Sequence, residues 1–140
     1  MPAINKRILI VDDEPRVLSI LSTILERMNE MNWIKYGFEI VTADGGRQAL
    51  REIEQVDFDL VISDVIMPEI GGVALVEAIR ALGLETAVVW MTAFGSQALH
   101  DDRQRLDVHA CLDKPVKVNE IRQAALDAMG TDLNIVTANG

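Results

Sequence analysis

Short runs of apolar residues recur along the chain, and longer stretches with helical spacing separate them. A continuous apolar run between polar flanks is typical of a strand that is buried on both faces. Four segments fit this description: Arg7–Val11, Leu60–Ser63, Ala87–Met91 and Ala110–Leu112. A fifth segment, Phe38–Ala43, alternates apolar and polar positions more and suits an edge strand.

Apolar residues at intervals of three and four predict a helix after each strand. The clearest helix runs from Pro15 to about Asn29, with the proline in its first turn. The other predicted helices are Gly46–Gln55, Val73–Ala81, Gln97–Leu106 and Val118–Met129. This alternation predicts an α/β fold in which helices cover both faces of a doubly wound, five-stranded parallel sheet.

Two stretches stand outside the alternation. We expect Glu30–Gly37 to extend the first helix and then form a loop, with Trp33 and Tyr36 folding back on the body. A longer helix end without such contacts is the alternative. Residues 130–140 lack periodicity, so we expect one domain over residues 1–129, followed by a flexible tail or the start of a linker.

The bulk composition narrows the function. The chain has 140 residues, of which 49% are hydrophobic, and this suffices for one core. Its 22 acidic and 13 basic residues give a net charge of −9, which disfavours direct binding to nucleic acids or anionic membranes. With Cys111 as the only cysteine, no intramolecular disulfide can form. No apolar run is long enough for a signal peptide or a membrane span, so we expect a soluble cytoplasmic protein.

Carboxylates follow two of the predicted strands directly. Asp12 and Asp13 come after the first strand, and Asp64 comes after the third. These strands are neighbours in a doubly wound sheet, where ligands bind beyond the carboxyl ends. Like charges in one small cleft need a cation, and hard oxygen ligands suit Mg²⁺. An alternative for the adjacent pair is that it caps the helix starting at Pro15.

Two further polar side chains follow the fourth and fifth strands. Thr92 offers a hydroxyl and Lys114 a cation on a long stem. Together with a metal, these groups can neutralise a phosphoryl group, and a carboxylate can act as its nucleophile. Taken singly, a structural threonine and a solvated lysine are the simpler interpretations.

At this point the chain resembles the response-regulator receiver family, the switch domain of two-component signalling. The matching motifs, in family order, are IVDDEP at Ile10–Pro15, DVIMPEIGG at Asp64–Gly72, MTAFG at Met91–Gly95 and LDKPV at Leu112–Val116. The resemblance covers residues 7 to about 129. It implies a flavodoxin-like three-layer sandwich with strand order 2-1-3-4-5.

The resemblance also implies a reaction. Asp64 is expected to accept a phosphoryl group from a phosphohistidine on a sensor histidine kinase or phosphotransfer protein. Mg²⁺ is the implied cofactor, with Asp13 as a direct ligand, Asp12 bound mainly through water, and Asp64 and the backbone carbonyl of Ile66 completing the set. The implied protein is a switch for a downstream partner or output domain, sometimes through dimerisation, and not an enzyme.

The remaining implied roles concern the phosphoryl group and the switch. Thr92 and Lys114 are expected to contact phosphoryl oxygens, and a cis peptide is expected before Pro115. Cys111 stands where the family commonly has an aromatic residue that changes rotamer. We interpret it as a small buried residue without a redox role, and Trp90 as core rather than as a substitute moving ring.

Two bulky residues lead to a prediction about lifetime. The resemblance implies that the residues two beyond the acceptor and two beyond the threonine, here Ile66 and Phe94, flank the route by which water would reach an acyl phosphate on Asp64. We therefore predict a long-lived phosphoprotein. His100 and His109 have no partners at metal-ligand spacing, and we expect them on the surface.

Two rival functions remain. A Mg²⁺-dependent phosphatase would also pass through an aspartyl phosphate, but it would need a general acid two residues after the nucleophile, where this chain has Ile66. A receiver fold that serves only for interaction would not be phosphorylated at all.

Overall fold

In the computed structural model, which describes residues 5–31 and 37–130, five strands form one parallel sheet. The strands are β1 (Asn5–Val11), β2 (Gly37–Ala43), β3 (Leu60–Asp64), β4 (Ala87–Thr92) and β5 (Ala110–Asp113). Their order across the sheet is β2-β1-β3-β4-β5, and every neighbouring pair is parallel. The predicted sheet and its order are confirmed, and β1, β3 and β4 place their carboxyl ends side by side.

The helices follow the strands as expected, with two differences in detail. They are α1 (Pro15–Glu26), α2 (Gly46–Gln55), α3 (Gly72–Ala81), α4 (His100–Arg105) and α5 (Val118–Ala128). A 3₁₀ turn, Arg27–Glu30, takes the place of the predicted last turn of α1. The predicted helix 97–106 divides into a 3₁₀ turn, Ser96–Leu99, and a short α4 that has no buried residue. A helix without an apolar face gains little from packing, which accounts for its shortness.

Apolar residues cover both faces of the sheet. One core cluster lies under α2 and α3 and includes Trp90, while the other lies under α1 and α5. Every residue of β3 is buried, as expected for a central strand. The prediction that β5 is buried on both faces is wrong: β5 is an edge strand with no fully buried residue. The position of β2 at the opposite edge agrees with its more alternating sequence.

The last helix packs largely as its sequence indicates. Ile121 and Ala125 are fully buried against the sheet, whereas Val118 is exposed, so the predicted apolar stripe begins one turn later. The predicted contacts of Trp33 and Tyr36 lie outside the described residues, as do residues 131–140 of the tail predicted for residues 130–140. In the described part of the chain, none of the helices combines the length and apolar character that a membrane crossing requires.

Candidate functional site

The acidic residues after β1 occupy two different environments. Asp12 is fully buried, and its backbone amide donates to the Ala43 carbonyl on β2 at 3.2 Å. One carboxylate oxygen of Asp12, Oδ1, accepts the Glu14 amide at 2.9 Å, just before α1 begins. Asp13 is exposed. The capping role proposed as an alternative for this pair is wrong, because Glu14 occupies the N-cap position and no side chain caps α1 there. The bond from the Glu14 amide uses only one of the two Asp12 oxygens.

The carboxylates of Asp12, Asp13 and Asp64 converge at the carboxyl end of the sheet. Each can place one oxygen so that all three oxygens lie within 4.8 Å of one another. Asp64 ends β3 and is buried, so its carboxylate points into the cleft from the middle of the sheet. Three carboxylate oxygens at this spacing, one of them open to water through Asp13, fit a hard divalent cation that keeps part of its hydration shell.

Lys114 brings a cation to the same cleft from β5. Its Nζ lies 3.1 Å from Oδ2 of Asp12 and 3.1 Å from Oδ2 of Asp64. Its backbone amide donates to the Thr92 carbonyl at 2.8 Å, and the Lys114–Pro115 peptide is cis, as the resemblance implied. The sequence predicted that Lys114 contacts phosphoryl oxygens; in this structure its ammonium group bonds the two carboxylates.

Burial and charge shape the ionisation of this group. Burial raises the pKa of Asp12 above its usual value, although the Glu14 amide and Lys114 oppose the shift. For Lys114, burial is the largest single influence and lowers the pKa, but the hydrogen bonds to Asp64 and Asp12 and the charges of these two carboxylates together outweigh it, so the net pKa is raised. The lysine is therefore charged at neutral pH beside two buried acids.

Thr92 completes the predicted set at the end of β4. It is buried, and its Oγ1 accepts the Phe94 amide at 3.1 Å. Among the described residues, no acceptor takes its hydroxyl proton, so the hydroxyl can still donate to an anion in the cleft.

The loop between β3 and α3, residues 65–71, is held closely at its base. The Val65 amide donates to the Met91 carbonyl at 3.0 Å, and the Gly72 amide donates to the Val65 carbonyl at 2.8 Å. A Cβ on Gly72 would lie 2.5 Å from the Asp64 carbonyl oxygen, so only glycine fits this approach. The loop carries Ile66, whose side chain is 60% exposed; its role as a carbonyl ligand stays a prediction.

Several side chains outside the predicted set also bear on the site. Trp90 is fully buried, as predicted, and its indole Nε1 donates to the Gly72 carbonyl at 3.2 Å. This bond was not predicted, because nothing in the sequence connects residues 72 and 90. Cys111 is half-buried beside Trp90 in the sheet register, and burial raises the pKa of its thiol, which disfavours a reactive thiolate. His100 and His109 are exposed, as expected.

Comparison with known families identifies the fold and the motifs together. The family described as the response regulator receiver domain matches residues 8–126. The chain is 35% identical over 119 residues to the sensor histidine kinase RcsC of Escherichia coli strain K12, a match that covers 83% of this chain and 11% of the relative. It is 32% identical over 134 residues to the transcriptional regulatory protein ZraR of Escherichia coli O157:H7, covering 96% and 28%. The chain thus spans a small part of these relatives' length.

Solved structures agree with this match. Vibrio cholerae chemotaxis protein CheY4 superposes with a TM-score of 0.78 at 25% identity, covering 89% of this chain and 98% of that one. The response regulator TrrA of Thermotoga maritima, solved in complex with Mg²⁺ and BeF, has a TM-score of 0.73 at 28% identity and coverages of 88% and 98%.

The family gives the acidic cleft a context. Receiver domains bind Mg²⁺ through a cluster of aspartates, act as signalling switches, and work with histidine kinases or phosphotransfer proteins. The buried Asp12 and Asp64, Lys114 and the sheet order described above fit the acceptance of a phosphoryl group by a receiver domain. On the family match, the fold and these motifs together, this chain belongs to the response regulator receiver domain family of two-component signalling systems.

Proposed function

We propose that this chain accepts a phosphoryl group on Asp64 from a phosphohistidine of a sensor kinase or phosphotransfer protein. The observation that carries the proposal is the convergence at the cleft. Oxygens of Asp12, Asp13 and Asp64 lie within 4.8 Å, and Lys114 Nζ lies 3.1 Å from two of these side chains. The match to the sensor kinase RcsC and the regulator ZraR, each far longer than this chain, is consistent with such a relay.

The reaction forms one bond and breaks another. A carboxylate oxygen of Asp64 attacks phosphorus while the bond from phosphorus to the donor imidazole nitrogen breaks, and the imidazole leaves with its electron pair. A bound Mg²⁺, held by Asp12, Asp13, Asp64 and in our proposal by the Ile66 carbonyl, would neutralise phosphoryl charge.

The chain's own polar groups then hold the product. Lys114, now paired with Asp64, can turn its ammonium group to a phosphoryl oxygen once Asp64 has become an acyl phosphate. The Thr92 hydroxyl, with its proton unassigned to any described acceptor, can donate to another. Pulling Thr92 and the residues after it toward the new charge is the conformational step that would reach α4.

A phosphatase is disfavoured by the residue two positions beyond Asp64. Ile66 presents an exposed aliphatic side chain there and offers no acid or base to activate water.

We also propose that the receiver domain spans residues 1–129, with residues from 130 onward forming a tail or the start of a linker. The end of α5 at Ala128 and the end of the family match at residue 126 support this division.

Incubation with acetyl phosphate and Mg²⁺, followed by intact-mass measurement, tests the proposal. We expect one added phosphoryl group in the wild type, and none in Asp64→Asn or after removal of Mg²⁺. Asp57→Asn is the matched control, because Asp57 is an exposed acid at the opposite end of the sheet. No mass gain in the wild type would contradict the proposal and favour a purely interacting domain, and an equal gain in Asp64→Asn would contradict it by placing the phosphoryl group on another residue.

A further inference from the structure

The indole of Trp90 connects β4, the strand that carries Thr92, to the segment that follows Asp64. The reaction proposed above assigns no role to Trp90. Trp90 lies on β4 two residues before Thr92, and it faces the core cluster under α2 and α3. Its Nε1 donates to the Gly72 carbonyl, the first residue of α3, in a fully buried setting. A buried indole N–H needs such an acceptor, and the choice of Gly72 decides what the indole holds in place.

Gly72 is the point where the loop after Asp64 closes. Its amide donates to the Val65 carbonyl at 2.8 Å, and its Cα lies so close to the Asp64 backbone that no side chain fits. Whatever fixes Gly72 therefore fixes the backbone on both sides of Ile66. The indole supplies that restraint from β4, the strand that carries Thr92.

The other side of the loop is held by α2. Arg47 Nη2 lies 2.7 Å from Glu69 Oε2, and an added Cβ on Gly46 would meet Ile70 at 2.6 Å. The Arg47–Glu69 pair is exposed at the surface, where an ion pair contributes little. The buried bond from Trp90 is thus the better-shielded of the two restraints.

We propose that Trp90 is a positioning residue for the magnesium site: through Gly72 it holds the loop that carries Ile66 at the distance from Asp64 that an ion requires. This inference rests on the proposed function in its choice of ion and ligands. Trp90 touches neither the ion nor the phosphoryl group. It acts through the backbone, in the way that groups outside the direct ligands tune metal affinity.

Magnesium affinity, measured without any phosphoryl donor, tests the inference. In Trp90→Phe an aromatic ring remains, but the N–H and the pyrrole part of the indole are lost, and we expect the Mg²⁺ dissociation constant to rise about tenfold. Val88→Ala is the control, because Val88 is buried in the same cluster and on the same face of β4 but has no polar group to donate. Its dissociation constant should match that of the wild type even though its stability falls.

A second variant and a spectroscopic readout guard against misfolding. Replacing Trp90 with benzothienylalanine keeps the shape of tryptophan and removes only the N–H, so it should weaken Mg²⁺ binding as Trp90→Phe does. In the wild type, Mg²⁺ should shift the NMR resonance of the Trp90 indole proton. The resonance that disappears in Trp90→Phe identifies this proton. Unchanged Mg²⁺ affinity in both Trp90 variants would overturn the inference and leave Trp90 as core packing.

The outcome can be separated from that of the proposed function. If the wild type binds Mg²⁺ and the Trp90 variants bind it more weakly, the positioning role stands even if acetyl phosphate leaves Asp64 unmodified. If Asp64 is phosphorylated but the Trp90 variants bind Mg²⁺ normally, only the positioning role fails. A wild type that does not bind Mg²⁺ at millimolar concentrations overturns both.

Discussion

The carboxyl ends of β3 and β4 lie side by side but are built differently. Beyond β3, the backbone is fixed within a few residues by the Val65 and Gly72 hydrogen bonds and by the buried indole of Trp90. Beyond β4, Phe94 is 75% exposed, and the chain passes through a 3₁₀ turn into α4, which has no buried residue. Adjacent strands thus lead into one tightly restrained segment and one loosely packed segment.

This difference separates two tasks. Binding an ion and aligning a nucleophile need fixed geometry, and the restrained segment after β3 supplies it. Responding to a new charge needs an element whose movement costs little, and few buried contacts make the segment after β4 such an element. Thr92 connects the two, because it is buried at the carboxyl end of β4 while its hydroxyl oxygen accepts the amide of Phe94 in the loosely packed segment.

The largest loss of stability should come from adding a side chain to the tightly restrained segment after β3. In Gly72→Ala the new Cβ would lie 2.5 Å from the Asp64 carbonyl oxygen, so the backbone must shift. We expect a loss of about 2–3 kcal/mol in the free energy of unfolding, measured by urea denaturation. Gly45→Ala is the control, since a Cβ there meets nothing within 4 Å, and its loss should stay below about 1 kcal/mol. Equal losses would show that the segment after β3 is not tightly packed.

Removing the cation between the acids should have a smaller effect. Lys114→Met leaves the buried carboxylates of Asp12 and Asp64 without their partner, and we expect about 1–2 kcal/mol less stability in the absence of Mg²⁺. Added Mg²⁺ should restore most of the loss, because it takes over the neutralisation of both acids. Lys117→Met, at an exposed position whose backbone bond to Glu120 is unaffected, should show neither change. A loss that Mg²⁺ does not reverse would mean that Lys114 stabilises the fold by packing alone.

The smallest effect on stability is expected from a substitution in the loosely packed segment after β4. Phe94→Ala should change the free energy of unfolding by no more than about 0.5 kcal/mol, because the ring is mostly exposed. It should instead shorten the lifetime of the phosphorylated protein several-fold, since the sequence predicts that the ring and Ile66 flank the route of water to the acyl phosphate. Leu82→Ala, also exposed but at the far end of α3, is the control. An unchanged lifetime in Phe94→Ala would remove the shielding role predicted from the sequence.

The sequence predicted the fold well because the pattern that identifies a buried strand lies within a few consecutive residues. Uninterrupted apolar runs identify central strands, and carboxylates directly after them must emerge at one edge of a parallel sheet. The prediction that Asp12, Asp13 and Asp64 lie together is confirmed for this reason. The same local signal gave a wrong burial for β5, since an apolar run does not reveal how many neighbours a strand will have.

What the sequence could not predict depends on tertiary packing. The division of 96–105 into a 3₁₀ turn and α4 follows from the absence of a buried face, which appears only when the neighbours are placed. The Trp90 bond to Gly72 joins residues 18 positions apart on different elements. Lys114 was assigned to phosphoryl oxygens, whereas without a phosphoryl group its ammonium bonds the carboxylates that would otherwise repel each other.

Locating the modified residue tests whether Asp64 is the phosphoryl acceptor. After phosphorylation with acetyl phosphate and Mg²⁺, borohydride reduces an aspartyl phosphate to homoserine, which peptide mass spectrometry can place in the sequence. We expect homoserine at position 64 and at no other aspartate. Homoserine at position 12 or 13, or phosphate recovered on a hydroxyl or a histidine, would contradict it.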